Sequence, residues 1–185
     1  MIIVLRHAPP AEKMAGICYG QLEIPLAVDH AAAADRVVGR LVQLGYQPTD
    51  VISSDLQRCS GLAEQLLDHF PQASMAADAR LRELDFGEWE GISWDELQLN
   101  DGERLDSWMS DWLLASPPAG ESLPELERRV FDFCDELDHE GRLVLLVAHA
   151  GSIRALRRYF QQDPLDWLEL MNQPVEHLAV ELLVM

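Results

Sequence analysis

The chain has 185 residues, 48% hydrophobic and 25% charged, which is enough for one domain with a full core. Its formal net charge of −18 argues against a nucleic-acid partner or docking on an anionic membrane, and makes any phosphate site a local positive pocket in a negative field. Three cysteines (Cys18, Cys59, Cys134) without metal-ligand spacing read as reduced thiols of a cytoplasmic protein, and neither a signal-peptide pattern nor a bilayer-length apolar stretch is present.

The opening run Met1–Leu5 predicts a strand buried on both faces, as in a parallel sheet, with Arg6 and His7 at its carboxyl end. Open α/β sheets bind ligands at such strand ends. Arg6 offers a planar fork for phosphate or carboxylate, and His7 can act as nucleophile, base or ligand. The Pro- and Gly-rich stretch PPAEKMAGICYGQLEIPL predicts a long loop over the top of the sheet. A helix is predicted from about Asp29 to Leu44, with Ala34, Val37, Val38, Leu41 and Leu44 as its apolar stripe and Gly45 as its stop.

In VISSDLQRCSGLAEQLL, Val51 and Ile52 predict a short strand, Ser53-Ser54-Asp55 offers helix N-caps, and Arg58 falls in the first turn of the helix that follows. A cation at a helix N-terminus opposes the dipole unless it holds an anion. A weak strand is expected around Met75–Ala77. Next come the acids Glu83, Asp85, Glu88 and Glu90, set among Gly87 and Gly91, and four of the five tryptophans, from Trp89 to Trp112. This stretch predicts a small helical cap packed on by Trp94, Trp108 and Trp112; an aromatic substrate wall is the alternative.

Ser122 with Glu125 and Pro124 predicts a capped helix carried by Leu126, Val130, Phe133 and Leu137 to Gly141. Leu143–Ala148 predicts a second buried strand ending in His149, after which Ala150-Gly151-Ser152 turns into a helix with free N–H groups. The tail HLAVELLVM predicts a final strand.

Two histidines at strand ends with Arg6 and Arg58 near the same sheet edge suit a tetrahedral dianion. His7 is placed to attack phosphorus, and His149 to donate to an equatorial oxygen. Glu83 is the best candidate for the proton donor to the leaving alcohol. His30, His69, His139 and His177 read as surface or structural.

The segments LRHA, SSDLQRC, LRELDFGEWEG, GESLPELERRV and VAHAGSIR resemble, in order, the signatures of the histidine phosphatase (phosphoglycerate mutase-like) superfamily. The resemblance implies an α/β fold: a three-layer α/β/α sandwich with a mostly parallel central sheet. It is expected as one domain over residues 1–185, with the cap at about 86–118. It further implies a phosphohistidine on His7, a phosphate pocket of Arg6, Arg58 and His149, Glu83 as acid, and no metal or other cofactor. Ala8, Pro9-Pro10 (in place of a usual polar pair that includes an acid), Leu62 and Ala150 depart from the family pattern, and none of them removes a charged catalytic group.

GICYGQLEIPL is similar to the G-x-Y-x-G-x-x-D-x-P-L pattern of α-ribazole-5′-phosphate phosphatases, with Glu23 in place of Asp. Tyr19, Gly20, Gln21 and Ala150 are the substrate contacts this implies, beside Arg6, Arg58 and His149. The expected partner is a small-molecule phosphate ester, with α-ribazole 5′-phosphate as first choice. A broad phosphatase for sugar or glycerate phosphates, or a mutase-like enzyme, is the alternative. A catalytically idle phosphate sensor is the alternative of another class. The sequence leaves the oligomeric state unassigned.

Overall fold

The apolar run at the start becomes strand β1 (Ile2–Arg6) of a computed structural model that describes residues 1–161 and 166–184. Side chains alternate across a strand. Accordingly Ile2 and Val4 enter one core and Ile3 and Leu5 the other, and all four are buried. The other strands are β2 (Asp50–Ser53), β3 (Ser74–Ala77), β4 (Val144–Ala148) and β5 (Val180–Val184). They assemble in the order β3-β2-β4-β1-β5, with β1, β2, β3 and β4 parallel and β5 antiparallel against β1. Met185 of the anticipated last strand lies outside the described residues.

Helices cover both faces, giving the three-layer α/β/α arrangement. On one side α1 (His30–Leu44) and α2 (Gln57–Leu67) pack Val37, Leu41, Leu62 and Leu66 onto Ile3, Leu5, Leu145 and Val147. On the other, α5 (Leu123–Glu136) and α6 (Ala150–Phe160) pack Leu126, Val130, Ile153 and Leu156 onto Ile2, Val4, Val144 and Leu146. Asp29 caps α1 by accepting from the Ala32 N–H, and Gly45 ends it in the left-handed region. Ser122 and Glu125 form the expected capping box on α5. That helix stops at Glu136, short of the expected Gly141, because Leu137 turns extended.

Between α2 and α5 in the chain, α3 (Trp94–Asn100) and α4 (Gly102–Ser110) build a third, smaller core. Its centre is Trp89, 1% exposed and anchored through its indole N–H to Asp101, with Leu97 and Leu105 against it. Trp94 and Trp108 are only partly buried, meeting Phe86 edge-on at 5.7 and 6.0 Å. The expected anchoring role therefore falls on Trp89, whose N–H finds a partner within this cap, while that of Trp108 has none among the described residues.

Two further features depart from the sequence reading. Neither Ser53, Ser54 nor Asp55 is the N-cap of α2; that position is Leu56, and the Gln57 N–H instead donates to the Glu23 carboxylate at 2.8 Å. A distant carboxylate thus does the capping, in the place where the helix dipole favours negative charge. The short α7 (Trp167–Met171), capped by Asp166, has no counterpart among the predicted elements.

The packing predicts a sharp contrast between two leucines. Leu126→Ala, at a fully buried position, should lower unfolding free energy by about 2–5 kcal/mol, whereas Leu99→Ala, 83% exposed, should change it by no more than about 0.5 kcal/mol. Urea denaturation of both variants checks this.

Candidate active site

The register of two parallel strands sets the centre of the site. Arg6 lies opposite Ala148, so the next residues, His7 and His149, emerge side by side at the carboxyl edge. Their ring centroids are 5.0 Å apart, and both residues are essentially inaccessible, at 1% and 0% exposure.

Hydrogen bonds fix each ring. His7 Nδ1 lies 2.7 Å from the Ala8 carbonyl, which can only accept, so Nδ1 carries the proton and Nε2 keeps its lone pair. His149 Nδ1 accepts from Arg58 Nε at 3.1 Å, which puts its proton on Nε2. Burial, and after it the Arg58 guanidinium, holds the His7 pKa well below 6.5. For His149 burial comes first, then His7 and Arg58. Both imidazoles are therefore neutral near pH 7, as a nucleophile and a hydrogen-bond donor require.

Arg58 is 1% exposed and rigidly oriented. Besides His149 it donates to the carbonyls of Leu22 (2.7 Å) and Gly20 (2.5 Å), and its guanidinium lies 5.6 Å from the Tyr19 ring centroid. Among the described residues one N–H on each terminal nitrogen remains uncommitted. Arg6 donates from Nη1 to the Val175 carbonyl at 2.6 Å. Among the described residues neither arginine forms an ion pair with a carboxylate, whereas Arg80, Arg82, Arg104, Arg129, Arg142 and Arg157 all do.

Glu83 approaches from the segment after β3. Its Oε1 accepts from the Gly151 N–H (2.8 Å) in the first turn of α6, and from the Leu84 N–H (3.1 Å). A methyl group at residue 151 would overlap the Glu83 carboxylate and push it from this position, so the glycine leaves room for the contact. Beside Glu83 opens a cavity of about 270 Å³ whose walls include Tyr19, Phe86, Trp94, Trp108, Trp112 and Trp167. Gly20, Ala150 and Arg154 also border it. The tryptophans that were assigned to packing thus also form an aromatic wall.

Gln21 stands differently from its neighbours in the loop. Its amide donates to the Glu83 carbonyl at 3.0 Å and its Oε1 accepts from Arg82 at 3.3 Å, so the side chain braces the site. Its N–H donates to Glu90.

Sequence reasoning set His177 aside as surface or structural and did not single out Arg154. His177 donates from Nδ1 to the His7 carbonyl at 2.9 Å, and its ring meets that of His7 at 5.2 Å. Only the antiparallel return of the chain beside β1 brings it there. Arg154 lies on the anticipated α6, one turn beyond Ala150. Its Nε donates to the Leu170 carbonyl at 3.0 Å from the unpredicted α7. Among the described residues no three His, Cys, Asp or Glu side chains are grouped as metal ligands.

The sequence profile of the histidine phosphatase superfamily (branch 1) matches residues 2–183. The chain is 31% identical over 169 residues to glucosyl-3-phosphoglycerate phosphatase of Mycobacterium tuberculosis (strain CDC 1551 / Oshkosh), covering 84% of this chain and 72% of that protein. Among solved structures, the α-ribazole phosphatase of Shigella flexneri superposes with a TM-score of 0.82 at 22% identity, over 97% of this chain and 87% of that one. A mycobacterial glucosyl-3-phosphoglycerate phosphatase in complex with VO3 gives 0.74 at 25% identity, over 97% and 88%. The chain belongs to the histidine phosphatase superfamily, and it is a phosphatase.

The ring geometry predicts a titration. At pH 6.5 an ordinary imidazole is half protonated. Nitrogen NMR of the side chains should find His7 and His149 still neutral there, with protons on Nδ1 and Nε2 respectively. A midpoint at or above 6.5 for either ring would contradict the site as described.

Proposed function

We propose that the enzyme is a metal-independent phosphomonoesterase that works through a phosphohistidine on His7, with α-ribazole 5′-phosphate as its substrate. The observation that carries the reaction is the His7 tautomer. With Nδ1–H held by Ala8, the Nε2 lone pair is the free nucleophile beside two arginines that have no acidic partner among the described residues.

In the first step His7 Nε2 forms a bond to phosphorus as the ester P–O bond breaks, and Glu83 gives its proton to the departing oxygen. Arg6 and the uncommitted N–H groups of Arg58 hold the phosphoryl oxygens, and His149 Nε2–H donates to a third. In the second step water attacks phosphorus, Glu83 takes the water proton, and the P–N bond breaks to release phosphate and neutral His7. Side chains and the N–H groups at the start of α6 supply the charge needed for the dianion.

For the substrate, the loop GICYGQLEIPL and the aromatic cavity beside Glu83 both support a leaving group with a flat ring system, as in α-ribazole. One observation favours the second reading, a glycerate or sugar phosphate. Arg154 borders the same cavity, has no ion-paired carboxylate among the described residues, and would suit an acidic leaving group. The relatives called glucosyl-3-phosphoglycerate phosphatase point the same way. Ranking kcat/KM for α-ribazole 5′-phosphate, 3-phosphoglycerate and sugar phosphates separates the two. The proposed cap, residues 86–118, contributes Phe86, Trp94, Trp108 and Trp112 to the aromatic wall that does the selecting.

The division of labour predicts distinct mutant signatures in single-turnover phosphoryl transfer. Glu83→Gln should slow alkyl phosphates by about 10²–10⁴-fold and p-nitrophenyl phosphate far less, because nitrophenolate departs without a proton. Arg58→Ala should slow both alike, since both present the same phosphoryl group. Equal slowing by Glu83→Gln, with leaving-group dependence appearing in Asp85→Asn or Glu88→Gln instead, would reassign the acid.

A further inference from the structure

Arg129 projects from α5 outside the group of reacting side chains, yet all five of its N–H donors are engaged. Nε and Nη2 donate to the two oxygens of Glu121 at 2.7 and 2.8 Å. Nη1 donates to the carbonyls of Arg80 (2.6 Å) and Arg82 (2.9 Å), and Nη2 also to the carbonyl of Glu83 (3.0 Å). An arginine has five such protons, and here none is spare.

The three carbonyls belong to the irregular stretch from which Glu83 projects. This stretch leaves β3 and passes one short 3₁₀ turn (Ala79–Leu81) before the chain reaches Gly87. Beyond that turn no helical or strand ladder orients it, so Arg129 supplies hydrogen bonds that regular structure would otherwise give. The Glu83 carbonyl is gripped from the other side by the Gln21 amide, and the Glu83 carboxylate by the Gly151 N–H. Glu121 holds the Arg129 fork in plane, and both side chains are largely buried, at 19% and 15% exposure.

We propose that Arg129 is a positioning residue for proton transfer to the leaving group: it fixes the backbone of residues 80–83 so that the Glu83 carboxyl meets the departing oxygen. The inference rests on Glu83 being the acid. A lysine at 129 keeps the ion pair with Glu121, but its single ammonium cannot serve two carboxylate oxygens and three carbonyls together. Displacement of a reacting group by an ångström can cost on the order of 10²-fold in rate.

The test is single-turnover phosphoryl transfer across esters whose alcohols range from p-nitrophenol to simple alkyl alcohols. Arg129→Lys should slow alkyl phosphates by on the order of 10²-fold and p-nitrophenyl phosphate by less than about threefold. The dependence on leaving-group pKa then steepens in the same sense as in Glu83→Gln, while inorganic phosphate binds as before. Equal slowing of all substrates, or no slowing, overturns the proposal. A steep dependence in Glu83→Gln with an unchanged one in Arg129→Lys sinks the role of Arg129 alone. A flat dependence in Glu83→Gln sinks the acid assignment itself. Should Arg129→Lys fail to fold, the double variant Arg129→Met/Glu121→Leu removes both buried charges together and carries the same test.

Discussion

The parallel pairing of β1 with β4 is the constraint on which the site depends. It sets Arg6 opposite Ala148 and therefore His7 next to His149, with the His7 N–H donating to the Ala148 carbonyl at 3.2 Å. A one-residue slip would turn the alternating apolar side chains of β1 toward the wrong cores as well as separating the rings. The burial that stabilises the sheet is thus the same burial that aligns the chemistry. It also sets the protonation states, because two desolvated imidazoles beneath Arg58 are held neutral. Their depressed pKa values make stability pH-dependent. The unfolded chain takes up protons that the folded one refuses, so this contribution is full above pH 6.5 and is lost as pH falls below it.

Around that centre, charges that look redundant in composition have assigned partners. The net charge of −18 reflects a surface rich in carboxylates, yet several acids serve the interior of the site loops. Glu23 caps α2, Glu90 accepts from the N–H groups of Gln21 and Phe86, and Glu121 orients Arg129. Asp55 is held ionised chiefly by its hydrogen bonds from Arg82. Arg6 and Arg58 stand outside this pairing, buried or half-buried without a carboxylate partner among the described residues, and so keep their charge for an incoming dianion. Local positive potential inside a negative envelope is the consequence.

Most of the fold was legible because its signals are local. β1 and β4 are continuous apolar runs, α1 carries its own Asp cap and Gly stop, and α5 carries its own capping box. What escaped the sequence depends on residues far apart in the chain. The cap of α2 comes from Glu23, across 34 positions. His177 reaches the His7 carbonyl across 170. The roles of the tryptophans depended on which indole N–H found a partner, and Asp101 gave that to Trp89. Gln21 read as a substrate contact, but its amide is occupied by the Glu83 backbone, a contact across 62 positions. Arg129 did leave a signal: it sits in GESLPELERRV, off the apolar stripe of its helix and next to Val130 of the core.

The central claim is that phosphorus passes through His7. Rapid quenching of the enzyme with a radiolabelled phosphomonoester, followed by peptide mapping, tests it most directly. The account predicts a phosphoramidate on His7, labile in acid and stable in base, that forms before product release and is absent from His7→Ala. Label on any other side chain, or full turnover with no covalent label at the earliest quench times, would contradict it.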